Sequence, residues 1–259
     1  MDPNIDLTLI QLATAYVFVV ILLLIVRHRG IKRERDILLA SIRMTLQLVL
    51  IGYVLVYIFD NPSPFYTIIF IVLMEAFAIF NIFSRVKEEI STNLKKVIAL
   101  SMIIGTLSSM IYFLFIVIRV TPWYNPRYFI PITGMLIGNS MTGISLGVSR
   151  LIGGINSNKN QIEAALMLGA VPKIAVKGIV DNAFDAAVLP TINSMVGMGI
   201  VFLPGMMTGQ ILAGLSPISA IKYQIAIMLG ILGSVSLTVI IFINLGYKTF
   251  FNKDSQLKL

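Results

Sequence analysis

Cysteine is missing from the chain altogether and histidine occurs once, as His28. With no thiol there is no disulfide framework, no thiolate metal site and no cysteine nucleophile. One imidazole cannot build a histidine-based catalytic or metal cluster, and His28, in a basic loop, reads as an exposed side chain or a neighbour of lipid headgroups. Serines are plentiful, but without a nearby imidazole they give no nucleophile and base pair, which counts against a membrane-embedded enzyme. The pattern Gly-x-x-x-x-Gly-Lys-Ser/Thr is also missing, so the chain does not read as a P-loop ATPase, and any ATP must be hydrolysed by a partner. Charge is equally scarce. Only 12% of the 259 residues are charged and 57% are hydrophobic, whereas a soluble domain has about 25% charged residues. No soluble domain of this length could hide that much apolar surface.

What is present is a series of apolar stretches, several reaching the roughly 20 residues that cross a hydrocarbon core of about 30 Å. The reading is an all-α polytopic bundle in the cell membrane, one transmembrane domain over residues 1–259. Seven spans are expected, at 5–26, 37–59, 65–84, 97–118, 128–149, 191–214 and 219–246. Asn61-Pro62-Ser63-Pro64 and Thr121-Pro122-Trp123-Tyr124-Asn125-Pro126 supply turns between spans, and Trp123, Tyr124 and Tyr128 suit a headgroup belt. The chain opens Met1-Asp2-Pro3-Asn4 and runs straight into the first span, which is expected to be retained as a helix. There is no internal repeat and no low-complexity segment.

The net charge of +8 does not point to nucleic acid, because the basic residues sit in short loops between apolar segments. One side collects Arg27 to Arg35, Arg85 to Lys96, Arg150 to Lys177 and Lys248 to Lys258. The other holds only Arg119, Arg127 and Lys222. Basic loops resist translocation, which places the N-terminus outside and the C-terminus in the cytoplasm.

One connection, residues 150–190, is too long to be a simple loop and carries its own helical signals. Asn160-Gln161-Ile162-Glu163 starts a helix, Gly169 and Pro172 stop and restart it, and Lys173 to Leu189 runs to Pro190. Span five carries Gly134 with Gly138 and Gly143 with Gly147, two pairs spaced by four residues, which permits close helix packing. Its Asn139, Ser140 and Thr142 either serve that packing or line a pathway. Span six is interrupted at Leu203-Pro204-Gly205-Met206-Met207-Thr208-Gly209-Gln210, either a structural kink or the break at which transporters bind or gate a substrate. Met135, Met141, Met195, Met198, Met206 and Met207 are pliable packing or soft-metal ligands, and no metal site can be assigned from sequence. Arg43 and Glu75 lie inside spans. Arg43 shares a helix face with Gln47, and hairpin pairing of spans two and three would let Glu75 reach it, as a structural polar pair or as part of an ion path.

At the long connection, Glu163-Ala164-Ala165-Leu166-Met167-Leu168-Gly169-Ala170 resembles the EAA loop of ABC-transporter permeases, and Leu189-Pro190 resembles its closing Leu-Pro at a greater distance than in importers. More of the chain is similar to one permease family, the FetB-type metal exporters, which includes plant aluminium-tolerance permeases. The likeness is carried by Arg43 to Leu55, Pro131 to Met141, the Glu163 helix, Pro190-Thr191-Ile192-Asn193-Ser194, Leu203 to Gly209 and Lys222-Tyr223-Gln224-Ile225. The resemblance implies a permease that exports metal ions, iron among bacterial members, and works with a separate ABC ATPase that binds ATP and Mg. It also implies a second copy of the chain, since such ATPases act in pairs. Glu163, Ala164, Ala165 and Gly169 would contact the ATPase. Arg43, Gln47, Glu75, Asn139, Asn193, Pro204, Gly205, Met206 and Met207 are candidates for the pathway or gate. The alternative is a stand-alone secondary transporter or channel in which Arg43 and Glu75 form an ion relay.

The orientation is directly testable in a cysteine-free chain. Single cysteines at Arg33 and Lys95 should label from the cytoplasmic side and one at Trp123 from outside; cytoplasmic labelling of position 123 would contradict the orientation.

Overall fold

The computed structural model describes residues 7–86 and 88–258; the expected start of the first span at residue 5, the Met1–Asn4 lead and Lys87 lie outside the described residues. The chain forms two compact units, Met1–Asn61 and Pro62–Leu259.

In the first unit, α1 (Leu9–Ala15) opens on a capping box: the Thr8 hydroxyl accepts from the Gln11 amide, and the Gln11 side chain accepts from the Thr8 amide at 2.9 Å. Tyr16 separates α1 from α2 (Val17–His28), and its hydroxyl meets that of Thr45 on α3 (Glu34–Asp60). Glu34 and Asp36 occupy the first turn of α3, where carboxylates complement the helix dipole, and Asp36 pairs with Arg33 at 2.7 Å on the surface.

The second unit is built from helices that repeat one starting device, a polar cap followed by proline. Ser63 precedes Pro64 of α4 (Pro64–Arg85), Asn125 precedes Pro126 of α6 (Pro126–Ser157), and Ser216 precedes Pro217 of α11 (Pro217–Gly246). Each cap side chain accepts a backbone amide of the first turn, and proline at the first helical position has no N–H to leave unsatisfied. α5 (Thr92–Tyr112), capped by Ser91, runs on through a π-helical turn at Phe113–Ile118, which ends at Arg119 with φ 57°. The remaining helices are α7 (Lys159–Met167), α8 (Pro172–Ala175), α9 (Lys177–Gly197) and α10 (Gly205–Leu212).

The core of this unit lies where α11 packs along α5, α6 and α9. Phe242, Ile144, Leu151, Leu136, Met102 and Ile98 are fully buried there. Small residues set the spacing. A methyl group at Gly105 would lie 2.3 Å from the Thr238 hydroxyl, and one at Gly143 would lie 2.9 Å from Val235 and 3.2 Å from the Ala187 carbonyl. The Ser140 and Ser234 hydroxyls hydrogen-bond across the α6–α11 contact at 2.9 Å.

Six helices among the described residues are long and apolar enough to cross a membrane: Leu9–His28, Glu34–Asp60, Pro64–Arg85, Thr92–Ile118, Pro126–Ser157 and Pro217–Phe250. The multi-pass helical reading holds, but the span expected at 191–214 is not a continuous helix. The return leg begins earlier. Along α6, Gly154 meets Ile179, Gly147 meets Ala183 and Ala187, and Gly143 meets Ala187, so α9 runs antiparallel to α6. α11 runs parallel to α6, with Ser140 against Ser234 and Gly143 against Val235. Between them, α9 and α10 together carry the chain back, interrupted at residues 198–204. Lys177, Asp181 and Asp185 lower the hydropathy of α9 and conceal this in the sequence. Pro190, expected to end the preceding helix, instead lies inside α9, as Pro131 lies inside α6.

Candidate functional site

The long connection is a compact helical corner. α7 ends in a Schellman motif: Ala170 N–H donates to the Ala165 carbonyl and Gly169 N–H to the Leu166 carbonyl, both at 3.0 Å. Gly169 takes φ 90°, a left-handed conformation that side chains resist, which is why glycine stands there. Ile162 is buried beneath the helix, Glu163 and Ala165 are half-buried, and Ala164 and Gly169 are exposed. The four residues expected to meet an ATPase therefore do not form one outward face. The most outward side chains are Met167 and Leu168, 87% and 90% exposed, with Ile174 of α8 beyond them. Large apolar side chains standing clear of the body beyond the spans were not singled out by sequence; the signal available was their place at the helix end, just before Gly169.

The intramembrane candidates are carried on several helices. Arg43 and Gln47 lie on α3 of the first unit, and their side chains are exposed. Glu75 lies on α4 of the second unit and is 7% exposed. Its Oε2 accepts from the Thr106 hydroxyl of α5 at 3.0 Å, while its Oε1 is buried without a hydrogen bond among the described residues. The Thr106 oxygen also lies 2.7 Å from the Met102 carbonyl, so one hydroxyl proton is shared between two acceptors. Thr133 on α6 is fully buried and its hydroxyl has no partner among the described residues; its neighbour Gly134 faces Met74, the residue before Glu75. A carboxylate at that depth is costly, and such groups mark polar centres inside membrane bundles.

A second group follows the exposed side of α6. Asn139 and Thr142 are exposed, and each bonds back to its own helix, to the Met135 and Gly138 carbonyls. Nothing lies within 4 Å of a methyl group built on Gly138. Because α9 is antiparallel to α6, Asn193 falls near the depth of Asn139, and its side chain is also exposed.

The break after α9 is a tight turn closed by a parallel bridge between Met198 and Phe202. Gly199, at φ 84°, donates to the Phe202 carbonyl at 2.9 Å, and Pro204 caps α10 ahead of Gly205. Met207 is buried and Met206 half-buried, packed on the core, and Gln210 has a buried, unpartnered Oε1. Met198 sulfur accepts from the Gln224 amide at 3.7 Å. Among the described residues no group of three or more His, Cys, Asp or Glu side chains could hold a metal ion. A groove of about 680 Å³ at the far end of α5 and α11, bordered by Tyr112, Phe113, Lys222 and Gly233, was likewise not foreseen.

These features define a multi-pass α-helical membrane protein with an apolar core that holds a few buried polar side chains, and with a structured corner outside its spans. Residues 9–251 match the family described as "Uncharacterised protein family (UPF0014)", and the chain belongs to it. It is 36% identical over 249 residues to the "UPF0014 membrane protein YjkA" of Bacillus subtilis, covering 96% of this chain and 98% of the relative. It is 36% identical over 247 residues to the "Probable iron export permease protein FetB" of Escherichia coli, covering 95% and 93%. It is 33% identical over 250 residues to the "Protein ALUMINUM SENSITIVE 3" of Arabidopsis thaliana, covering 96% and 90%. No solved structure matches the chain.

The Glu75–Thr106 contact has a measurable signature. Thr106→Val removes the donor and should lower stability by about 1–3 kcal/mol, the cost of a buried acceptor left unpaired. Glu75→Met combined with Thr106→Val should recover part of that loss. Thermal unfolding in detergent reads both, and a Thr106→Val chain as stable as the parent would contradict the contact.

Proposed function

We propose that this chain is the membrane-spanning permease subunit of an ABC transporter that exports metal ions, driven by a separate ATPase subunit that binds ATP and Mg. The observation that carries the reading is the α7 corner. A short helix resembling the EAA segment sits outside the spans and presents Met167 and Leu168 almost fully exposed, which suits a groove in a partner protein. The missing phosphate loop requires the nucleotide site to be elsewhere. Similarity to a relative named as an iron export permease supports export and makes iron the first cargo to test.

The reading includes two copies of the chain and two ATPases. Asn139, Thr142 and bare Gly138 on the exposed side of α6 would be unfavourable against lipid, and a second copy facing them would enclose a polar passage. In this assembly Asn193 and the Pro204–Gly205 break contribute to the passage or its gate, while Met206 and Met207 serve as packing around the break. One observation favours the alternative of a stand-alone ion-coupled transporter: the buried, incompletely paired Glu75.

Replacing both Met167 and Leu168 by aspartate separates the two. The double variant should insert and dimerise like the parent yet retain at least tenfold less ATPase on co-purification, because burying each apolar side chain contributes about 1.5–3 kcal/mol. Glu163→Lys should weaken coupling of hydrolysis to transport. Variants that hold the ATPase and transport normally would sink the coupling assignment and favour the stand-alone transporter.

A further inference from the structure

The residues after α11 do not trail away from the body. A 3-10 turn, Tyr247–Phe250, leads into a tight reversal in which Phe251 and Leu257 form an isolated antiparallel bridge. Lys258 N–H donates to the Phe250 carbonyl at 2.7 Å. Asn252 Oδ1 accepts from the Asp254 and Gln256 amides at 3.0 and 2.8 Å, and Asn252 Nδ2 donates to Gln256 Oε1 at 2.8 Å. Phe251 and Leu257 pack on the core, so the reversal is anchored at both ends.

This reversal faces α7, and the two enclose a pocket of about 350 Å³. Glu163, Leu166 and Met167 line one side; Asp254, Gln256 and Leu257 line the other. The ionisable groups on its walls are both carboxylates, although Lys159, Lys253 and Lys258 are carried on the same elements. Leu166, Met167, Ala170 and Leu257 add apolar walls, and Ser255 and Gln256 add neutral polar groups. Carboxylates above apolar walls suit a side chain with an aliphatic stem and a cationic head, that is, lysine or arginine. Glu163, half-buried on α7, lines this pocket, while Met167 and Leu168 are almost fully exposed beside it.

We propose that Asn252–Leu257 forms the second wall of the ATPase docking site, and that the pocket it shares with α7 receives a lysine or arginine side chain of the ATPase. The inference rests on the reading of α7 as the ATPase contact and adds to it a second segment, distant in sequence, with a defined complementary chemistry. The docking surface then joins the end of α6, through α7, to the end of α11, the two helices that pack in parallel through the core. Movement of the ATPase would act on both at once.

The absence of cysteine makes the test direct. In the full complex with its ATPase, single cysteines at Leu168 and Ser255 are treated with a short bifunctional crosslinker. Both positions should join to the ATPase. Crosslinking from position 168 without crosslinking from 255 overturns this inference and leaves the α7 reading standing; crosslinking from neither overturns both. Asp254→Arg supplies the chemical arm. The Asp254 carboxylate takes no part in the hydrogen bonds that hold the reversal, so this variant should match the parent in insertion and thermal unfolding while retaining about tenfold less ATPase. Unchanged retention of the ATPase by Asp254→Arg overturns the assignment of a cationic occupant. If the variant loses stability, the crosslink at Ser255 decides.

Discussion

Close approach of helix backbones is the constraint on which the second unit depends. At Gly105 the Thr238 hydroxyl occupies the space that a side chain would need, and at Gly143 a Val235 methyl group and the α9 carbonyl of Ala187 crowd the corresponding position at 2.9 and 3.2 Å. In hydrocarbon, burial of apolar surface does little to hold helices together, because lipid tails are as apolar as leucine. Tight van der Waals contact and hydrogen bonds between helices take over. The Ser140–Ser234 bond and the Glu75–Thr106 bond are the polar part of that arrangement, and the glycines are what bring such groups within reach.

The same packing places the exposed features. With α6 fixed against α11 and α9, Asn139 and Thr142 are left on the far side of α6, facing away from the core. With Gly154 against Ile179, the beginning of α9 is held to the end of α6, and the α7–α8 corner between them becomes a short, stiff link. In the proposed transporter this link is the lever: a push on Met167 and Leu168 passes through α7 into α6 and α9 with little slack, because packed helices shift as rigid pieces. The broken return leg is the part able to bend, since its interruption at residues 198–204 replaces helical hydrogen bonds by a turn.

Much of the fold was legible in the sequence because membrane helices must be long, apolar and capped. Ser63-Pro64, Asn125-Pro126 and Ser216-Pro217 each mark a helix start with a polar cap and a proline, and Gly169 marks a helix end by the backbone conformation it alone adopts easily. The return leg is less legible: Lys177, Asp181 and Asp185 keep α9 from standing out as an apolar span, and Pro190 reads as a helix end. In the structure α9 passes through Pro190, with the Ser194 hydroxyl bonding to its carbonyl. Glu75 stood out as a carboxylate within a span, but its partner did not. The hydrogen bond it accepts comes from Thr106, whose nearness to α4 is a tertiary fact without a local signature. The α7 residues were legible as a motif but not as a surface. Which of them face outward depends on Ile162 being anchored in the core and on the carboxyl-terminal reversal lying beside Glu163, and residues 247–258 show no periodicity that would announce it.

In the proposed transporter this chain moves its cargo only when a separate ATPase drives it. Vesicles containing the purified chain, the purified ATPase, or both, and loaded to report movement of ferrous iron, test that claim with ATP and Mg supplied on the ATPase side. The account predicts transport that needs both proteins and nucleotide hydrolysis, with almost none from either protein alone. Iron movement by the chain alone at the rate of the full assembly, indifferent to ATP, would contradict it.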